Sequence, residues 1–169
     1  HVESNRIDRV HPQTVACLLY TSGSTGVPKG VLIAHLGIVR LVPESDFIPF
    51  GPALRMLFHS QMVFDASTLE IFGPLLNGGT CVLFGGRGVP TLYELREAIR
   101  RFRVNTLYLG PAPYNLIIEE SPDVLEGLEW LILGGEAMSP THARKGLELF
   151  PNLHLVNGYG PTETTTFAT

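Results

Sequence analysis

The chain has 169 residues, 44% of them apolar and 17% charged, with 12 basic side chains against 16 acidic ones and a net charge of −4. That is one domain's length, with enough apolar residues to bury about 70% of the surface of the unfolded chain. No basic run supports nucleic-acid binding, and glycine, proline or charge interrupts every apolar run before it reaches the length of a membrane span.

Residues 1–13 are polar and read as an irregular lead-in to a domain over 14–169. The apolar run Val15–Tyr20 predicts a buried strand. It breaks into a loop of hydroxyls and glycines, Thr21-Ser22-Gly23-Ser24-Thr25-Gly26-Val27-Pro28-Lys29-Gly30. A short strand over Val31–Ala34 and a helix from His35 to Val42 follow, with Pro43 as the stop. Residues 43–53 are loop and Arg55–His59 a short strand. Phe64–Asn77 predicts a helix with Asp65 at the N-cap, Leu69, Phe72, Leu75 and Leu76 along one face, and Gly78-Gly79 as terminator. Thr80–Phe84 is a strand and 85–90 a turn-rich loop. Thr91 and Glu94 form a capping box for a helix carrying Leu92, Leu95, Ile99 and Phe102. Thr106–Leu109 is a strand, and a helix runs from about Tyr114 to Glu120. Trp130–Leu133 is a strand closed by Gly134-Gly135-Glu136. Ser139 with Pro140 opens a helix to about Leu149, and His154–Asn157 is the last strand.

Strands alternating with helices of this length predict an α/β fold, a mainly parallel sheet with flanking helices and right-handed crossovers. Ligands of such sheets bind beyond the carboxyl ends of the strands. The motifs that follow strands or open helices are therefore expected on one face. Cys17 and Cys81 lie in apolar runs and read as buried free thiols rather than a disulfide or metal pair. The six histidines show no metal-ligand spacing; His35 and His59 flank motifs but read as loop or core. No Ser-His-Asp arrangement can be argued, nothing resembles a signal peptide, and a cytoplasmic setting is expected.

The loop after the first strand has the chemistry of a polyphosphate cradle. Glycines let backbone N–H groups turn toward an anion, hydroxyls add donors and Lys29 adds a compact charge. It is not a Walker A loop, which ends in Gly-Lys-Ser/Thr. Pro28 precedes the lysine here and Gly30 follows it. An ordinary polar turn is the alternative.

Tyr20 to Gly30 is similar to the phosphate-loop signature of the adenylate-forming, AMP-binding superfamily. Phe64-Asp65-Ala66-Ser67-Thr68-Leu69-Glu70 and Asn157-Gly158-Tyr159-Gly160-Pro161-Thr162-Glu163-Thr164-Thr165 narrow the resemblance to adenylation domains of nonribosomal peptide synthetases. It covers nearly the whole chain, about Val15 to Thr169. It implies part of the large N-terminal subdomain of such an enzyme, joining an amino acid to the α-phosphate of ATP with release of pyrophosphate. The cofactors implied are ATP and Mg²⁺, with phosphopantetheine on a partner carrier domain. Carrier and condensation domains are the implied partners, with no nucleic acid and no membrane.

The resemblance assigns roles residue by residue. Thr21, Ser22, Gly23, Ser24, Thr25 and Gly26 with Lys29 would hold the β,γ-phosphates, Thr162 would lie beside the α-phosphate, and Glu163 would bind Mg²⁺ instead of being a solvated carboxylate. Tyr159, in place of a core aromatic, would stack on adenine. Asn157 would reach its edge, and Gly134, Gly135, Glu136 and Gly160 would border it. Asp65 would pair with the α-ammonium of an amino acid, its alternative being a plain N-cap, with Phe64 the aromatic before it. Ala66, Leu69, Leu109 (or the adjacent Tyr108), Ile132, Gly134, Gly158, Thr166 and Phe167 would line the side-chain pocket. None of these is charged, which favours a neutral side chain. Ile132, Gly134, Gly158, Thr166 and Phe167 together are similar to valine-activating pockets, so a small branched aliphatic amino acid, valine first, is expected. Discrimination against a one-methylene neighbour is worth only about 1–3 kcal/mol.

The chain starts at His1 and stops just past the last motif, so an internal fragment of a larger polypeptide is expected. The ribose-binding aspartate, hinge and catalytic lysine of the resemblance, and the closing C-terminal subdomain, would lie beyond Thr169. The 169 residues alone are then expected to form adenylate poorly or not at all. The rival readings are an acyl- or aryl-CoA ligase of the same superfamily, against which Asp65 argues, and a non-catalytic nucleotide-binding module, against which intact Lys29, Asp65 and Glu163 argue.

Overall fold

The computed structural model describes residues 10–21, 27–42, 45–86 and 88–168. A hairpin comes first: β1 (Val15–Thr21) pairs antiparallel with β2 (Lys29–Ala34), in register from Cys17 opposite Ile33 to Thr21 opposite Lys29, with a bulge between Val15 and Cys17. The expected buried strand is therefore half exposed. Only Leu19 and Ile33 are buried on the pair, while Leu18, Tyr20 and Leu32 face outward. Alternation sends every second residue of a strand to the opposite face, and the hairpin is covered on one face only. Thr21 and Lys29 face each other at the end of the hairpin, and Ser22–Gly26, expected on the shared face, lie outside the described residues.

Helix α1 (His35–Leu41) follows directly, and the remaining strands form one five-stranded sheet in the order β4-β3-β5-β6-β7. These are β3 (Arg55–Phe58), β4 (Thr80–Leu83), β5 (Thr106–Leu109), β6 (Trp130–Gly134) and β7 (His154–Gly158). Every pairing is parallel. Helices α2 (Ala66–Leu76), α3 (Leu92–Phe102), α4 (Pro111–Glu120) and α5 (Pro140–Leu149) connect them.

The period-2 pattern of β5 and β6 sorts the core onto two faces. Leu107, Leu109, Leu131 and Leu133 join a cluster with Leu95 and Ile99 of α3 and Ile117 and Ile118 of α4. Tyr108 and Ile132 point the other way, into a cluster with Leu69 of α2, Ile38 and Leu41 of α1, and the hairpin. Both sheet faces are thus covered, as a parallel sheet requires.

The capping box of α3 forms as expected. Thr91 Oγ1 accepts from the Glu94 N–H at 3.2 Å, and the Thr91 N–H donates to Glu94 Oε2 at 2.9 Å. Thr91→Ala is expected to destabilise the domain by about 1 kcal/mol, read as a shift in the denaturant midpoint. Three local expectations are corrected. α4 begins at Pro111, not Tyr114, because a proline at the first helical position removes an N–H that has no intrahelical partner. In α2, Leu75 and Leu76 are exposed, and the buried side instead holds Ala66, Ser67, Leu69, Glu70 and Gly73. Short 3-10 turns over Pro122–Leu125 and Thr162–Thr164 add to the expected elements, since neither carries an apolar periodicity.

Candidate functional site

The order of the sheet reverses at β3: the chain goes outward to β4, then returns past β3 to β5. Ligands of open α/β sheets bind at such a switch point. β3 and β5 share one registered pair, Met56 with Thr106, whereas β5–β6 share four and β6–β7 five. The two strands therefore part toward their carboxyl ends. A cavity of about 530 Å³ opens there, bordered by His59, Ser60, Phe64, Asp65, Ala66, Tyr108, Leu109, Gly110 and Gly134–Glu136, with residues of α3 and α4 on its far side.

Asp65 sits at the N-cap position of α2 but does not cap it. Its backbone is helical (φ −65°, ψ −22°), and its side chain makes no cap hydrogen bond. The carboxylate instead accepts from Thr162 Oγ1 at 2.9 Å, and its backbone carbonyl accepts from Thr166 Oγ1 at 2.9 Å. Two motifs almost a hundred residues apart are joined at this residue. Burial pushes the Asp65 carboxyl up, with the nearby Glu163 charge adding to it and the Thr162 hydroxyl opposing. Among the described residues no basic side chain forms an ion pair with it. A half-buried carboxylate in this state gains most from a cationic ligand.

The turn that supplies Thr162 and Thr166 is strained. Thr165 and Thr166 are consecutive β-branched residues in the left-handed region, at φ 63° and 65°, each costing about 1–3 kcal/mol. Close packing holds them. A Cβ at Gly160 would lie 2.6 Å from the Thr166 carbonyl oxygen, and one at Gly158 would collide with the Phe167 ring. Arg40 of α1 donates to the carbonyls of Thr164, Thr165 and Phe167. Sequence reasoning missed Arg40, because a lone arginine on a short helix has no local signal for partners 124–127 residues away.

A second network crosses the switch point. Glu70 of α2 is fully buried and accepts from the Ser60 N–H at 3.0 Å and Ser60 Oγ at 2.9 Å. Burial pushes its carboxyl up to about 7. His59 Nε2 lies 2.9 Å from the Tyr108 carbonyl and 3.5 Å from Glu70 Oε1, and burial pushes the imidazole down. Both shifts disfavour the charged forms of the pair. His59 ties the end of β3 to β5. Glu70 was legible only as one more residue of its motif, since the acid's burial depends on the whole sheet.

The other expected site residues divide clearly. Ala66, Leu109 and Gly134 border the cavity. Leu69 and Ile132 are fully buried and pack with Phe167 in the hairpin-side cluster. Tyr108 lies on their face of the sheet, with its ring 6.3 Å from that of Phe167, while Leu109 belongs to the opposite cluster. Burial, with the charges of Asp65 and Glu70, holds the Tyr108 phenol up at about 12. Tyr159 is 68% exposed, so it is not a core aromatic. Asn157 and Glu163 are also exposed, and Thr162 is half-buried. Gly135 (φ 91°) and Glu136 follow β6 beside the end of β7, where Gly134 pairs with Gly158. Lys29 opens β2 opposite Thr21, and Ser22, Gly23, Ser24, Thr25 and Gly26 lie outside the described residues. Cys17 and Cys81 are free and half-buried, and burial raises both thiols.

Away from the cavity, Ser139 Oγ and Glu119 Oε1 each lie 2.8 Å from a ring nitrogen of His142. The arrangement resembles a Ser-His-Glu relay, but Ser139 serves as the N-cap of α5 and the group ties α4 to α5. None of the three residues borders the cavity. Among the described residues no group of three acidic, histidine or cysteine side chains could hold a metal by itself, and no helix is long and apolar enough to cross a membrane.

A carboxylate at a sheet switch point and a glycine-rich strand end border one cavity, and an exposed aromatic lies beyond β7. Residues 2–169 match the AMP-binding enzyme family, and the chain belongs to that family. Within it the chain is similar to nonribosomal peptide synthetases. A plipastatin synthase polypeptide of Bacillus subtilis (strain 168) is 40% identical over 158 residues, 94% of this chain and 6% of that protein. Malpibaldin synthetase of Mortierella alpina is 43% identical over 157 residues, 93% of this chain and 3% of that protein. The chain thus spans only a small part of the length of these relatives. The solved structure of holo-PA1221, an NRPS protein containing adenylation and PCP domains bound to a vinylsulfonamide inhibitor, superposes with a TM-score of 0.89 at 42% identity. The match covers 94% of this chain and 27% of that one.

Proposed function

We propose that this chain forms the amino-acid- and nucleotide-facing part of an adenylation domain that activates an amino acid with ATP, releasing pyrophosphate, and then loads it as a thioester onto a carrier domain. The observation that carries the reading is Asp65: a carboxylate turned away from helix capping, set on the cavity wall and held by Thr162. An α-ammonium would supply the charge that it lacks, and a fatty or aryl acid would leave it unpaired. Phe64 and Ala66 flank it.

Adenylation needs two reactants held in line and the charge on the phosphate oxygens stabilised. Thr162 is half-buried and adjacent to Asp65, so one short turn can address both the amino acid and the phosphate. Tyr159 offers an exposed ring for adenine, bordered by Asn157, Gly160 and Gly134–Glu136. Lys29 and the Thr21–Gly26 loop carry the positive charge and donors for the β,γ-phosphates. The exposed Glu163 carboxylate fits a hard cation held mainly by phosphate oxygens, and Mg²⁺ bound there would neutralise developing negative charge.

The side-chain pocket is read as neutral and small: Leu69, Tyr108 or Leu109, Ile132, Gly134, Gly158, Thr166 and Phe167, with valine as first choice. The phosphopantetheine-bearing carrier and the condensation domain are the partners of this reading, and the larger polypeptide is where they belong. The test is pyrophosphate exchange by the full-length polypeptide across valine, leucine, isoleucine, aminobutyrate and phenylalanine, with matching acids lacking the amino group. A maximum at valine is expected. Exchange with the deaminated acids alone would move the protein to the acyl- or aryl-ligase class, and ATP binding without any exchange would leave a non-catalytic module.

A further inference from the structure

The turn over Thr164–Phe167 holds three backbone carbonyls around one nitrogen. Arg40 Nη2 donates to Phe167 O at 2.7 Å, to Thr165 O at 3.3 Å and to Thr164 O. An –NH₂ has two hydrogens, so one is shared between acceptors. Converging carbonyl dipoles repel unless a cation faces them, and the two left-handed threonines cannot relax without moving the atoms around them. From the same turn, Thr162 and Thr166 reach Asp65, and Phe167 packs against Tyr108.

Arg40 itself touches neither the cavity nor Asp65. Gly37, three residues earlier, lies on the same face of α1. A Cβ at Gly37 would collide with the Thr165 hydroxyl, so the helix lies flush on the turn at both points. The contact runs from α1 through the turn to Asp65.

We infer that Arg40 is a positioning residue for amino-acid recognition: its guanidinium clamps the strained Thr164–Phe167 turn so that Thr162 and Thr166 hold Asp65 toward the substrate. The inference rests on the amino-acid-activating reading for its kinetic consequence and on geometry alone for the clamp. A planar guanidinium reaches several carbonyls from a fixed plane, whereas a lysine ammonium on a flexible stem does not. Arg40→Lys therefore keeps the charge without restoring the clamp.

Two measurements on the full-length polypeptide test this, with Arg40→Gln, Arg40→Lys and Gly37→Ala beside the wild type. In pyrophosphate exchange, Arg40→Gln is expected to raise the KM for the amino acid about tenfold while leaving kcat within about a factor of three. Arg40→Lys falls between it and the wild type, and Gly37→Ala shifts KM in the same direction. In amide hydrogen exchange, residues 164–168 take up deuterium faster in Arg40→Gln and Arg40→Lys, while α3 is unchanged. Loss of kcat with the amino-acid KM unmoved, or unaltered uptake over 164–168, overturns the inference. If the wild type exchanges pyrophosphate with no amino acid, the proposed function falls and the deuterium measurement decides the clamp by itself. Should Arg40→Gln loosen α3 as well, Arg40→Lys and Gly37→Ala carry the test.

Discussion

Asp65→Ala in the full-length polypeptide is expected to lower kcat/KM for amino-acid-dependent pyrophosphate exchange by roughly a hundredfold to several thousandfold. The carboxylate lies on the cavity wall, is half-buried and has no basic partner among the described residues. When it is deleted, the bound α-ammonium is buried without a counter-charge, and breaking a buried pair in this way costs about 3–5 kcal/mol. Asp65→Asn keeps the volume and an acceptor for the Thr162 hydroxyl and should lose nearly as much, because the missing charge is the cause. The loss should be confined to substrates with an amino group. An equal drop in ATP affinity, measured by nucleotide binding in the absence of amino acid, would show that the residue acts through the fold.

Glu70→Gln is expected to change the pH dependence of stability. Glu70 is fully buried, and its carboxyl is raised from 4.5 to about 7. A raised carboxyl pKa in the folded state means that the native protein holds the proton more tightly than the unfolded chain. Stability is therefore full below pH 4.5 and falls as pH rises toward 7, by about 3 kcal/mol once both states are ionised. Glutamine cannot ionise, so this slope disappears. It still loses part of the pairing with Ser60, whose N–H and hydroxyl both donate to the acid. The quantity to measure is thus the difference between pH 5 and pH 8 in denaturant stability. Wild type should lose more than Glu70→Gln over that interval, and identical slopes would show that Glu70 is ionised in the folded protein without cost.

Much of this architecture is written locally. The Thr91 and Glu94 pair, the Ser139-Pro140 helix start and the apolar runs of β5, β6 and β7 depend on neighbours within a few residues, and each appears where its pattern places it. The alternation of strands with helices determines a parallel sheet for the same reason, since crossovers of that length return to the same edge direction. The three motifs were also legible, because residue types such as Asp65, Glu163 and Lys29 and their order along the chain are properties of the sequence.

Placement was not. Whether Val15–Thr21 is buried depends on which strand pairs with it and what covers the pair, and β2 makes it a hairpin with one open face. Whether Asp65 caps its helix depends on Thr162, 97 residues away, which offers the carboxylate a different donor. Tyr108 and Leu109 are adjacent in sequence, and only the faces of the assembled sheet separate them into different clusters. Glu70 and His59 acquire their roles from groups brought together where β3 and β5 part, and Arg40 acquires its role from the turn after β7. Residue types and their order along the chain set the elements and the reactive groups. Packing set which of those groups meet, because burial and long-range hydrogen bonds exist only once distant segments are brought together.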